Sequence, residues 1–72
     1  MNKEFDKKVG QIIKDRRIER RMTQSQLADA LGIQQSTLSC YELGLRGMTL
    51  DMFFEVCQIL HLKPNDVQKM LG

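Results

Sequence analysis

TQSQLADALGIQQSTLSCYELG, residues 23 to 44, decides how this chain is read. Leu27, Ala28 and Leu31 form an apolar stripe at helical spacing. Gly32 follows at a left-handed stop position, where the missing Cβ removes a steric penalty. Ile33 fills the turn, and Leu38 and Tyr41 repeat the i, i+3 spacing on a second helix. Ala28 is small on the inward face and predicts a close approach of that second helix. Gln34, Gln35, Ser36, Thr37, Ser39 and Cys40 lie between its apolar residues. The outward face they make is polar but uncharged, whereas a solubilising face is more often Lys and Glu. Amides and hydroxyls both donate and accept, which suits the mixed patterns of base edges.

Outward from this stretch, the periodicity predicts five helices and no strands. Helix 1 is expected from about Phe5 to Arg20, with Phe5, Val9, Ile12 or Ile13, and Ile18 on its inner stripe. Helix 2 starts after Thr23, an N-cap that Gln26 completes into a capping box. Helix 3 is expected from about Gln35 to Leu43. Gly44 and Gly47 then flank a loop holding Arg46. Helix 4 is expected over Leu50 to Leu60, with Thr49 as N-cap and Asp51 complementing the positive helix end. Its core residues would be Leu50, Phe53, Val56, Cys57 and Leu60. Pro64 fits the first turn of helix 5, which ends near Leu71. Short connections and uniform helical periodicity imply an all-α compact bundle around one core.

Seventy-two residues make a single domain over 1–72, near the lower size limit for an independent core, so dimerisation would help to stabilise it. The net charge is only +2, yet its distribution is uneven. Residues 1 to 22 hold eight Lys or Arg against four acids, and the rest hold three against five. Positive charge therefore gathers on helix 1, either as a nucleic-acid footprint or as a solvated face. No apolar run approaches a membrane span, and no signal-peptide pattern opens the chain. Cys40 and Cys57 form no CxxC pair and suggest a reducing compartment.

The ordered set resembles the phage-repressor and Cro type of helix-turn-helix, the XRE family. The matching residues are Thr23-Gln24 before Leu27-Ala28, then Leu31-Gly32-Ile33, Ser36-Thr37-Leu38-Ser39, and Glu42 with Gly44. The likeness extends back to Val9-Gly10 and Ile13, and forward to Leu50, Phe53, Val56, Leu60 and Val67. It thus covers nearly the whole chain, with the helix-turn-helix over about 23–43. The resemblance implies a five-helix bundle of the lambda-repressor-like type. It further implies a sequence-specific regulator of transcription, a repressor that binds a palindromic double-stranded DNA operator as a homodimer. Such a protein would be cytoplasmic, of bacterial or phage origin, and would lie on the nucleoid when bound.

In that family the start of helix 3 enters the major groove. Gln35 and Ser36 are the implied base contacts, with Ser39 and Cys40 one turn further along the same face. Gln can pair with adenine N6 and N7 in a bidentate way. Cys40 departs from the longer polar or basic side chain common there and would give an apolar contact. Gln34 stands where Ser or Thr often caps the helix, and its amide is assigned to the phosphate backbone together with Thr37. Gln24, in the first turn of helix 2, is the implied phosphate donor that fixes the angle of approach, aided by the free N–H groups of that helix end. Arg46 is a candidate for phosphate or the minor groove, against a plain loop charge. Lys14, Arg20 and Arg21 are either further phosphate contacts or part of the long-range field. Arg21 also replaces the Gly that often ends helix 1. Arg17 and Glu42, often paired in the family, imply a partly buried salt bridge that ties helix 3 to helix 1.

Phe54, Leu62, Pro64 and Val67 are candidates for the dimer surface or for completion of the monomer core. Cys57 and His61 share a helix face at i, i+4, but two ligands do not make a structural metal site. A buried Cys and a helix-end His is the expected arrangement, and neither a metal nor another cofactor is expected. No phosphate-cradling glycine loop or supported nucleophile points to catalysis. The rival class is a protein-interaction module, for example an antitoxin, that keeps the fold without using DNA.

Overall fold

In the computed structural model, residues 3–72 are described. Among them the chain forms α1 (Lys3–Glu19), α2 (Gln24–Leu31), α3 (Gln35–Leu43), α4 (Leu50–Leu60) and α5 (Pro64–Met70), with no strand. The single domain expected over 1–72 includes residues 1 and 2, which lie outside the described residues.

Side chains define most helix starts. Thr23 Oγ1 accepts from the Gln26 backbone N–H at 3.0 Å, and Gln26 Oε1 accepts from the Thr23 N–H at 2.8 Å. This reciprocal pair satisfies two backbone donors that α2 leaves open. Thr49 satisfies one such donor of α4, accepting from the Met52 N–H at 3.2 Å. Pro64 opens α5, where its missing N–H costs nothing. Gln34 caps α3 through its backbone conformation alone, without a side-chain bond.

The first four helices end in one backbone motif. A residue with positive φ follows each helix: Arg21 (58°), Gly32 (70°), Gly44 (75°) and His61 (54°). The next N–H then turns back to close the helix: Met22 to Arg17 O at 3.0 Å, Ile33 to Ala28 O at 3.0 Å, Leu45 to Cys40 O at 3.0 Å, and Leu62 to Cys57 O at 2.8 Å. These bonds satisfy carbonyls that the helix ends leave unpaired. Arg21 therefore takes the left-handed conformation itself, although glycine is the residue suited to it.

The core is built on Ile13, Leu27, Leu38, Val56 and Leu60, all fully buried. Val9, Ala28, Leu31, Cys57, Leu62 and Val67 complete it. Three residues expected inside are not there: Phe5 is 51% exposed, Ile18 54% and Leu50 67%. The buried stripe of α1 is Val9, Gly10, Ile13 and Arg17, and Ile18 sits about 100° round the helix from Arg17. Phe5 continues the stripe in phase but lies near the helix start. There it and Leu50, the first residue of α4, line an open groove of about 510 Å³.

Ala28 is buried, and a direct contact between helix backbones is found at α1 and α3. A Cβ placed on Gly10 would stand 2.8 Å from the Glu42 carbonyl carbon, and one on Gly44 would stand 2.6 Å from Lys7 Cα. The backbones of α1 and α3 therefore meet directly at two glycines. A glycine inside a long helix was the available signal for the first of them.

Candidate nucleic-acid interface

Alternation of buried and polar residues along α3 orients its outer face. Leu38, Tyr41 and Glu42 point inward and are buried. Gln35 and Ser36 are exposed, whereas Thr37, Ser39 and Cys40 are half-buried. Gln34 is exposed just ahead of the helix.

One polar chain connects this face to the interior. Arg17 donates from Nε to Glu42 Oε2 at 2.7 Å and from Nη2 to Oε1 at 3.1 Å, a bidentate pair. Its Nη1 donates to the Met22 carbonyl at 2.9 Å. Glu42 Oε1 also accepts from Gln24 Nε2 at 3.0 Å. Gln24 Oε1 in turn accepts from Gln35 Nε2 at 3.4 Å. No buried side-chain N or O among the described residues lacks a partner. A charged pair this deep is tolerable only because both ends are so fully hydrogen-bonded.

The geometry leaves specific groups at the surface. Each Gln amide has two N–H donors and one carbonyl. Gln24 uses one donor on Glu42 and one carbonyl lone pair on Gln35, which leaves one N–H and the second lone pair. Gln35 spends one donor, which leaves its carbonyl and one N–H. A donor beside an acceptor on one planar group is the pattern that adenine N6 and N7 require. The structure thus brings Gln24, Gln35, Glu42 and Arg17 into one network. Lys14 on α1 is half-buried and Arg21 after it is exposed; neither belongs to that network. Arg46 is exposed in the loop after α3, with its guanidinium carbon 5.9 Å from the centroid of the Tyr41 ring.

Two site features were not read from the sequence. The family resemblance assigns Gln24 to phosphate alone; its bond to Glu42 joins residues on different helices, and spacing carries no signal for it. In the sequence Arg16 contributes only to the charge of helix 1. It donates from Nε to the Leu60 carbonyl at 3.0 Å and from Nη2 to the His61 carbonyl at 3.0 Å, so it closes the end of α4.

The dimer candidates divide. Leu62 and Val67 are buried in the monomer's own core, so of the two roles open to them they fill the core and not a dimer surface. The turn into α5 folds both side chains back against the bundle. Phe54 and Pro64 remain exposed beside a shallow depression at the end of α4. Cys57 is also a core residue, and burial pushes its thiol pKa up. His61, one turn on, is exposed and holds the left-handed helix end. Among the described residues no three metal-ligating side chains cluster, and no helix is long and apolar enough to cross a membrane.

The sequence profile of the helix-turn-helix family HTH_3 matches residues 13–67. No curated protein matches the chain. Among solved structures, the clp gene regulator ClgR from Corynebacterium glutamicum superposes with a TM-score of 0.87 at 23% identity, over 92% of this chain and 70% of that one. At that identity the likeness is one of fold.

Proposed function

Because the chain belongs to the helix-turn-helix family of DNA-binding transcription regulators, we propose that it is a sequence-specific repressor, binding a near-palindromic duplex operator as a two-fold dimer with α3 in the major groove. The observation that carries this reading is the polar chain from Arg17 through Glu42 and Gln24 to Gln35. It anchors two surface amides to the buried frame and leaves hydrogen-bonding groups free on each. Gln35 reads a base, and Ser36, Ser39 and Cys40 meet neighbouring positions. Gln24 turns its remaining N–H to a phosphate. Gln34, Thr37, Lys14, Arg21 and Arg46 add backbone contacts, which give affinity without base information. The dimer forms around exposed Phe54 and Pro64, and it sets two α3 helices about 34 Å apart on one DNA face, with half-sites roughly 10 base pairs apart. The protein works in the cytoplasm.

The decisive experiment selects bound sites from random duplex DNA and then measures binding against salt. A selected near-palindrome should bind about 10³-fold tighter than random duplex. If no selected sequence outcompetes random DNA, sequence-specific regulation is rejected. On the selected site, Gln35→Ala should relax preference at one base pair, while Gln24→Ala should weaken binding across sequences. The opposite pattern would assign base reading to the wrong residue.

A further inference from the structure

We propose that Tyr41 is a positioning residue for Arg46, holding its guanidinium ready for a DNA phosphate or the minor groove before DNA arrives. The inference rests on the DNA-binding reading above. Three observations carry it. The backbone leading to Arg46 is fixed on two sides: Leu45 N–H bonds back to the Cys40 carbonyl at 3.0 Å, and Gly44 lies against Lys7 so closely that a Cβ would stand 2.6 Å from its Cα. Tyr41 is only 8% exposed as a residue, so the core prevents its ring from swinging away. The Arg46 guanidinium carbon lies 5.9 Å from that ring's centroid, within the range of a cation–π contact.

A ring contact uses none of the five N–H donors of a guanidinium, so all of them stay available for oxygen acceptors. An arginine in a loop between Leu45 and Gly47 would otherwise sample many rotamers and lose that freedom on binding. Ordering one such side chain beforehand is worth on the order of two- to ten-fold in affinity. Tyr41 contributes by reducing that loss, without touching DNA itself.

The test has two arms. In the free protein, NMR of the Arg46 side chain should show ring-current-shifted δ protons, and the shift should persist in Tyr41→Phe and vanish in Tyr41→Leu. An Arg46 shift in wild type equal to that of an ordinary exposed arginine overturns the proposal, whatever the variants do. In the second arm, binding to random-sequence duplex is titrated against salt for wild type, Tyr41→Phe, Tyr41→Leu, Arg46→Ala and the Tyr41→Leu/Arg46→Ala pair, with thermal melts to verify folding. Tyr41→Phe should match wild type. Tyr41→Leu should bind about two- to ten-fold more weakly. Arg46→Ala should lower the salt slope by about 0.9, and adding Tyr41→Leu to it should cost nothing more. Independent, additive losses overturn positioning while the DNA reading stands. If wild type binds no duplex, the DNA reading itself has failed and Tyr41's role goes with it.

Discussion

The ends of α2 and α3 and the ends of α1 and α4 are the same piece of backbone made from different residues. The helix-turn-helix half uses glycine at both left-handed positions, Gly32 and Gly44. The supporting helices use Arg21 and His61, whose Cβ atoms make that conformation costly by roughly 1–2 kcal/mol each. What differs is the company these turns keep. Arg17 donates to the carbonyl of Met22, just after Arg21. Arg16 donates to the carbonyls of Leu60 and His61. Each strained end is therefore clasped by an arginine of α1, and among the described residues no arginine clasps either glycine end. A left-handed residue with a side chain persists where neighbouring bonds over-determine the turn.

The largest effect should come from the clasp that is also a buried ion pair. Arg17→Met strands the Glu42 carboxylate and releases the Met22 carbonyl, and should cost about 3–5 kcal/mol in urea unfolding. Glu42→Gln in the same chain should recover part of that loss. A double-mutant cycle with coupling below about 0.5 kcal/mol would remove the pair from the account.

Next come the two glycines, which the comparison separates. Gly44→Ala meets both the positive φ and the Lys7 backbone, and should cost more than about 2 kcal/mol. Gly32 has nothing within 4 Å of a built Cβ, so Gly32→Ala meets the conformational strain alone, about 1 kcal/mol. Equal losses in the two would show that φ decides and that the α1–α3 contact yields.

Smaller again is Arg16→Met. Loss of two hydrogen bonds to carbonyls at a partly exposed helix end should lower stability by about 1 kcal/mol. The smallest changes have the opposite sign. Arg21→Gly and His61→Gly relieve strain but loosen the unfolded chain, so each should raise the melting temperature by the equivalent of a few tenths to about 1 kcal/mol. A loss of stability in either would show that the side chain, and not only the backbone, holds its turn.

These contrasts also mark what the sequence makes legible. Thr23 with Gln26, Thr49, Pro64 and Gly32 are local signals, each read within four residues, and the helix bounds follow from them. Phe5 and Leu50 fit their helical stripes, yet periodicity gives the phase of a helix and not what covers its end. Ile18 was read into the wrong phase. Arg16 reaches carbonyls 44 and 45 residues away, and no spacing rule anticipates such a partner. In the site, the outward face of α3 was legible because it is polar without charge. The bond from Gln24 to Glu42 was not, because it depends on how α2 and α3 are set side by side.

The glycine contact between α1 and α3 has a consequence for how this protein changes over generations. Gly10 lets main chain rest on main chain, against the carbonyls of Tyr41 and Glu42. The pose of α3 is thereby set by atoms that every amino acid shares. Substitutions at exposed Gln35 or Ser36 change what the helix displays and leave that backbone contact in place. Under the proposed function, the domain would be a socket with an exchangeable reading head, which mutation could turn to a new target without first rebuilding the core.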